Sequence, residues 1–230
     1  MDIWANLPTM VVCYLYILAL IFISGKITRN SSQLRRKFLH SMIGNLPLLM
    51  PFFTERLFPF LVACPFIVVT LLVSPFSPWQ TLTSRLKGLN EITLEGNNIG
   101  LILYAISYSL LALLFGLRPY VVAAGILPMA YGDSLAAILG ISYGKHKLRF
   151  SHDKSVEGCI GMFLGSLFSL LVGIYYFSRF YTFSFASQFT PIIGVALAST
   201  MIEVVSPKGT DNLTVPLLGS IIFILLGGGA

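Results

Sequence analysis

Long apolar runs, separated by short charged breaks, dominate the chain. They predict helical windows at residues 7 to 24, 38 to 54, 57 to 74, 99 to 117, 119 to 141, 156 to 177, 187 to 205 and 213 to 227. Each window comes close to the ~20 apolar residues that an α-helix needs to cross a bilayer's hydrocarbon core. A transmembrane β-barrel is excluded, because its strands alternate apolar and polar positions whereas these runs are continuous. The second window contains Asn45, Pro47 and Pro51, and the last ends in Gly227, Gly228 and Gly229. Those two are the weakest and fit a re-entrant or tilted segment as well as a crossing. The expected fold is all-α, a polytopic transmembrane bundle of seven or eight helices forming one domain over residues 1 to 230.

Composition excludes the soluble alternative. Hydrophobic residues make up 56% of the chain, charged residues only 10%, and the mean hydropathy is +0.83. Soluble domains carry about a quarter charged residues. Cys13, Cys64 and Cys159 lie in separate apolar runs with no C-x-x-C pair, so neither a disulfide framework nor a zinc site is suggested. No Lys or Arg precedes the first run, which therefore reads as a retained helix and not as a cleaved signal peptide.

The net charge of +6 has a side. Twelve of the fifteen Lys and Arg residues fall in the segments 25 to 37, 75 to 98, 142 to 155 and 206 to 212. The alternate segments hold only Arg56, Arg118 and Arg179. The positive-inside rule then places the basic loops in the cytoplasm and the N-terminus outside. The basic loops are short and lack interleaved aromatics, which argues against nucleic acid as a partner. The sequons at Asn30 and Asn212 fall on the cytoplasmic side, where glycosylation is not expected.

Acidic residues are more telling, because a carboxylate near lipid is costly and usually marks a site. Seven of the nine, Glu91, Glu95, Asp133, Asp153, Glu157, Glu203 and Asp211, lie in or beside those same basic loops. Bases and carboxylates together on one face suit a phosphate chelated to a divalent cation. Asp133 is the sharpest of them. It lies eight residues before the end of its window, about 12 Å deep at a helical rise of 1.5 Å per residue. At that depth it needs a partner, a metal or water, unless it pairs with a neighbouring helix purely for packing. Pro128 and Gly132 offer a place for the helix to kink or break toward a polar cavity.

The loop after this helix contains Gly144-Lys145-His146-Lys147, and Lys154-Ser155-Val156-Glu157-Gly158 opens the next window. A P-loop reading fails: the glycine spacing is one residue short, and His146 stands where Ser or Thr should be. What remains is a helix N-terminus near Ser155 whose free N–H groups, with Lys154 beside them, would suit an anion. Lys147 and Arg149 read as solvated loop residues. Upstream, Arg36 and His40 share a helix face, while Lys37, Ser41 and Asn45 form a polar stripe running into the membrane. Glu203 and Asp211 flank a turn made by Pro207 and Gly209, so Asp211 can fold back toward Glu203. Such oxygen ligands suit Mg²⁺. Glu91 and Glu95 are either a surface helix or a second metal pair.

Taken in order, Arg36-Lys37-x-x-His40, Gly132-Asp133-Ser134-x-Ala136-Ala137-x-x-Gly140-x-x-x-Gly144-Lys145, Lys154-Ser155-x-Glu157-Gly158, and Glu203 with Asp211-Asn212 resemble the CTP-dependent polyprenol kinases, the family of dolichol and phytol kinases. The match runs from about residue 35 to 216, and the compact helix count is more similar to phytol kinases. The resemblance implies a single integral membrane kinase domain that transfers the γ-phosphate of CTP to a membrane-embedded isoprenoid alcohol, with Mg²⁺. It implies catalytic roles for Asp133, His40 and Lys154. Nucleotide contacts would come from Arg36, Lys37, Lys145, Ser155, Glu157, Gly158 and Asn212, and metal ligands from Asp133, Glu203 and Asp211. The site would sit on the cytoplasmic side, in a prokaryotic plasma membrane or in a eukaryotic endoplasmic reticulum or organelle membrane. Its partners would be a nucleoside triphosphate, a lipid alcohol and the bilayer. A homodimer is compatible with eight short helices, although nothing in the sequence demands one.

Two other readings stand beside this one. A CTP:phospholipid cytidylyltransferase also binds CTP beside membrane helices, but its Lys-Asp and His-Gly-Gly-x-x-Asp signature is absent. A small lipid transporter would explain buried charge, but it predicts inverted repeats with access from both sides. The acidic motifs here are unequal and lie on one side.

Overall fold

The structure is a computed structural model and describes residues 2–27, 32–74, 99–148, 151–207 and 209–230. Helices α1 (Ile3–Ile27) and α2 (Ser32–Ile43) lead into a 3₁₀ stretch, Leu46–Phe52. Next come α3 (Leu57–Ala63), α4 (Pro65–Leu72), α5 (Gly100–Phe115) and α6 (Pro119–Leu127). A π-helical turn, Pro128–Gly132, joins α6 to α7 (Asp133–Tyr143). A small hairpin, β1 (Lys147–Leu148) and β2 (Ser151–Ser155), precedes α8 (Val156–Phe177). The chain ends with α9 (Phe189–Val205) and α10 (Asp211–Leu225). Among the described residues, four segments are long and apolar enough to cross a membrane: Ile3–Ser24, Pro119–Tyr143, Val156–Phe177 and Phe185–Val205. Leu57–Leu72, Gly100–Phe115 and Asp211–Leu225 are shorter apolar helical segments. The fold is thus all-α in its membrane part, as the apolar runs predict.

Three local expectations need correction, and each has a physical cause. The window 38 to 54 is not one helix, because α2 ends at Ile43 and a 3₁₀ stretch follows. Pro47 and Pro51 supply no N–H and disfavour helical conformation in the residues before them. The window 57 to 74 is divided at Cys64, because Pro65 opens α4 without a donor to the preceding turn. The basic segment 142 to 155 is an antiparallel hairpin and not an open loop. Lys147 pairs with Ser155 and Leu148 with Ser151, and the Val156 N–H donates to the His146 carbonyl at 2.9 Å.

Helix α6 runs through the middle of the bundle, with Val121, Val122, Ala123, Ala124 and Ile126 all buried. In lipid the hydrophobic effect does not drive helices together, so close backbone packing between small residues must do so. The α7–α8 seam shows this directly. A Cβ on Gly161 would lie 2.8 Å from the Leu135 carbonyl oxygen, and one on Gly165 would lie 2.8 Å from that of Tyr131. Gly140 and Gly158 face each other farther along the same seam. The glycines that imitate a phosphate loop in the sequence therefore serve helix contact, and this contact fixes Asp133 relative to the N-terminus of α8.

Candidate active site

Asp133 is the first residue of α7, immediately after the π turn. The π turn, which Pro128 opens, is the distortion expected at that position. It leaves the Ala130 carbonyl accepting from the hydroxyls of Ser41, at 3.0 Å, and Ser134, at 2.8 Å. Ser41 and Ser134 also bond each other at 2.7 Å. Helix α2 is thereby pinned to the π turn, and Lys37 one turn earlier on α2 forms an ion pair with Asp133.

Glu203 lies in the last turn of α9 and Asp211 is the first residue of α10. The linking turn is closed by the Thr210 N–H donating to the Pro207 carbonyl at 3.0 Å. Gly209 there has φ +91°, a left-handed conformation that a side chain would strain. The turn folds Asp211 back, and oxygens of Asp133, Glu203 and Asp211 lie within 4.8 Å of one another. Glu203 and Asp211 are buried. At that separation, unscreened carboxylates repel by roughly 3 kcal/mol per pair at an effective dielectric constant of about 20. Cations must therefore be close. Lys37 pairs with Asp133 and Lys154 pairs with Glu203, which balances two of the three negative charges. Mg²⁺ bonds oxygen at ~2.0–2.1 Å, so opposite ligands stand ~4.2 Å apart. Neighbouring ligands of the same ion stand ~2.9 Å apart, so the three oxygens would have to draw together to share one Mg²⁺.

Two hollows adjoin the triad. The larger, of about 950 Å³, lies between α7, the hairpin, the start of α8 and the α9–α10 turn. Its lining includes Asp133, Lys147, Lys154, Ser155, Glu203 and Asp211. This volume is at the upper end of ordinary ligand pockets. The smaller, of about 90 Å³, lies on the other side of Asp133 and is bounded by Arg36, Lys37, His40, Gly100, Asp211 and Asn212. Asn212 is held in place, since its carbonyl accepts from the Ser107 hydroxyl at 2.9 Å and its side-chain amide donates to Asp211 Oδ1 at 3.1 Å. The His40 ring lies 4.0 Å from that of Tyr104, centroid to centroid.

The structure therefore brings together Asp133, Glu203, Asp211, Lys37, Lys154, Arg36, His40 and Asn212, residues drawn from α2, α7, β2, α9 and α10. Other residues singled out in the sequence are placed differently. Ser155 and Gly158 line the larger hollow, but the Ser155 hydroxyl caps α8 by accepting the Gly158 N–H at 3.1 Å. With Val156 N–H also bonded to His146, the free N–H groups expected at this helix start are largely taken. Glu157 binds His146, with Oε1 and Nδ1 2.6 Å apart. Lys145 is exposed and is not part of the lining of either hollow, whereas Lys147 lines the larger one. Glu91 and Glu95 lie outside the described residues. Sequence reading missed Lys147, Tyr104 and Ser107. Tyr104, Ser107, Tyr108 and Ser109 are the polar positions of α5, and nothing in their spacing separates a site from a lipid-facing surface.

The chain is similar to named isoprenoid-alcohol kinases over part of its length. The chain is 42% identical over 147 residues to the phytol kinase of Synechocystis sp., covering 61% of this chain and 60% of that protein. It is 34% identical over 104 residues to a probable phytol kinase of Oryza sativa subsp. japonica, covering 44% of this chain and 33% of the relative. It is 27% identical over 130 residues to a chloroplastic farnesol kinase of Arabidopsis thaliana, covering 55% and 42%. The chain thus spans between a third and three fifths of the length of these relatives. No protein-family model matches it, and no solved structure matches it. Its relatives include proteins named for phosphorylating phytol and farnesol, and this supports a phytol-kinase-like family for the chain.

Proposed function

We propose that this protein is a membrane kinase that transfers the γ-phosphate of CTP to the hydroxyl of an isoprenoid alcohol, with phytol, farnesol and geranylgeraniol ahead of longer polyprenols and dolichol. The observation that carries the reading is the carboxylate triad: three acidic side chains from three helices, within 4.8 Å of one another, paired with two lysines beside a hollow large enough for a nucleotide. The relatives named phytol kinase and farnesol kinase support the acceptor class. The concentration of basic residues in the loops beside the triad supports a cytoplasmic site.

In the reaction the alcohol oxygen forms a bond to the γ-phosphorus while the bond to the β–γ bridging oxygen breaks. CDP departs and the alcohol proton is lost. Asp133, Glu203 and Asp211 would hold Mg²⁺, which when bound neutralises phosphate charge and orients the chain of phosphates. Lys154 and Lys37, each already beside a triad carboxylate, sit where they can contact phosphate oxygens, with Arg36 near Lys37. Such transfers depend chiefly on positioning and charge neutralisation, which is what this chain's residues supply. Asp133 or His40 would accept the proton, and Asn212 holds Asp211 in its orientation.

The deciding experiment incubates the purified protein with γ-labelled CTP, Mg²⁺ and a panel of farnesol, phytol, geranylgeraniol, dolichol and diacylglycerol. Label in a lipid-soluble monophosphate of an isoprenoid alcohol is expected. Label in none of them would reject the kinase reading, and transfer of the cytidylyl group would support the cytidylyltransferase alternative.

A further inference from the structure

Beside His40 a cavity of about 120 Å³ lies between α1, α2, α4 and α5. Its walls are apolar side chains such as Ile17, Leu39, Phe66 and Leu101. Two polar atoms in its lining residues have no hydrogen-bond partner among the described residues: Nε2 of His40 and the hydroxyl of Tyr108. Both side chains are more than nine-tenths buried. A buried polar atom left unpaired is costly. Both atoms are almost sealed from the cavity, and a turn of the His40 ring would present Nε2 to a ligand that is greasy but carries a hydroxyl. His40, Arg36 and Leu101 line this cavity and also the small polar hollow that touches Asp133, Asp211 and Asn212. The apolar chamber therefore adjoins the carboxylate site through His40.

A second apolar space makes the choice a real one. A groove of about 1,380 Å³ runs along α2, α7 and α8, lined by Met42, Ile138, Leu164 and Phe168. Its hydroxyls at Ser41 and Ser134 bond each other and the Ala130 carbonyl, so they call for no ligand. The groove is also open, and Phe168 and Ile138 belong to the exposed apolar surface that lipid covers. It has the room, but it lacks unpaired polar atoms.

We infer that the cavity behind His40 seats the hydroxyl-bearing end of the acceptor alcohol, with the hydroxyl against His40 Nε2 and facing the triad. The inference rests on the kinase reading above. At about 120 Å³ the space holds the first prenyl unit or two and not a long chain. The remainder leaves past Val69, which lines the cavity while being 40% exposed to the surface. The protein then selects the branched, apolar neighbourhood of the hydroxyl, and the far end of the chain stays outside the cavity.

The test uses the full-length protein in lipid nanodiscs and a farnesol analogue with a photoreactive diazirine on its first prenyl unit. Crosslinks displaced by unlabelled farnesol are expected within residues 39–46 of α2 and its following turn, or within residues 101–108 of α5. Crosslinks in α7 or α8 along the open groove, or none that farnesol displaces, would overturn the inference. In parallel, Ala105→Leu fills the cavity from α5. The mole fraction of farnesol needed for half-maximal rate is expected to rise at least tenfold, with the CTP requirement unchanged within twofold. An unchanged farnesol requirement would overturn the inference while leaving the kinase reading intact. Failure of the unaltered protein to phosphorylate any alcohol would instead sink the kinase reading. Should Ala105→Leu not fold, the crosslinking of the unaltered chain decides alone.

Discussion

The charged hollow under the hairpin touches the carboxylates directly, whereas the apolar cavity behind His40 approaches them only through that residue, and the two are built in opposite ways. Most of the hollow is assembled at the ends of elements: Glu203 lies in the last turn of α9, Asp211 opens α10, and Lys154 is the last residue but one of β2, while Asp133 follows the π turn within the Pro119–Tyr143 span. Helix ends carry unpaired backbone groups and lie near water, so charge is affordable there. The cavity is assembled from helix interiors, where Leu39, Leu101, Tyr104 and Tyr108 face one another within the bundle. Under the proposed function one region takes the charged donor and the other the lipid acceptor, with His40 of α2 between them. Under the proposed function, mutations on the two sides should separate cleanly: damage to the hollow affects every acceptor equally, whereas damage to the cavity depends on the alcohol.

The largest effect is expected at the triad. Asp133→Ala, Glu203→Gln and Asp211→Asn each remove one oxygen-donor carboxylate, and the rate of transfer to any alcohol should fall about 10²- to 10³-fold or more. Initial rates of label transfer, with folding verified by size-exclusion chromatography, measure this. A loss confined to one alcohol would break the division between donor and acceptor sides.

Lys154→Met should give the next largest effect, and it reads stability as well as rate. The substitution leaves the Glu203 carboxylate, only 5% exposed in its side chain, without its ammonium partner. Breaking a buried pair in this way costs about 3–5 kcal/mol. The thermal unfolding midpoint should drop, and millimolar Mg²⁺ should restore part of the loss, because a cation held by the triad replaces the missing charge. A midpoint insensitive to Mg²⁺ would show that the triad does not hold the cation in the absence of nucleotide.

These charged residues were legible in the sequence because an acidic side chain inside or beside an apolar run has few explanations. The spacing of Pro207 and Gly209 even indicated that Asp211 would return to Glu203, and the oxygens do converge. The windows 99 to 117, 119 to 141, 156 to 177, 187 to 205 and 213 to 227 lie within a few residues of helical segments. The cavity was not legible. A tyrosine in an apolar run faces lipid or the bundle with equal ease, so Tyr104 and Tyr108 gave no sign of which. The hairpin escaped because β1 has only two residues, Lys147 and Leu148, too few to show an alternation. The polar face of α8's first turn leaves two readings open in the sequence for a related reason. A Ser, a Glu and a Gly at a helix start look the same whether they cap the helix or meet a phosphate, and only the position of His146 across the turn distinguishes the two.

Glu157 carries the smallest expected effect and the sharpest question about that first turn. Its carboxylate holds His146 through the ring nitrogen at 2.6 Å and the backbone N–H at 3.3 Å, on a side chain still 22% exposed beside a largely exposed histidine. Solvent-exposed pairs of this kind contribute little to stability. Were Glu157 only a clamp on the hairpin, Glu157→Gln and His146→Ala would remove the same contact. Each would then change the rate and the CTP requirement by less than about threefold, and the double substitution would cost no more than either single one. A nucleotide contact behaves differently: Glu157→Gln would raise the CTP requirement well beyond His146→Ala, and the two effects would add. Initial rates of the four proteins across a CTP titration distinguish the cases. The geometry favours the clamp, since the histidine already occupies the oxygens that a nucleotide would have to reach.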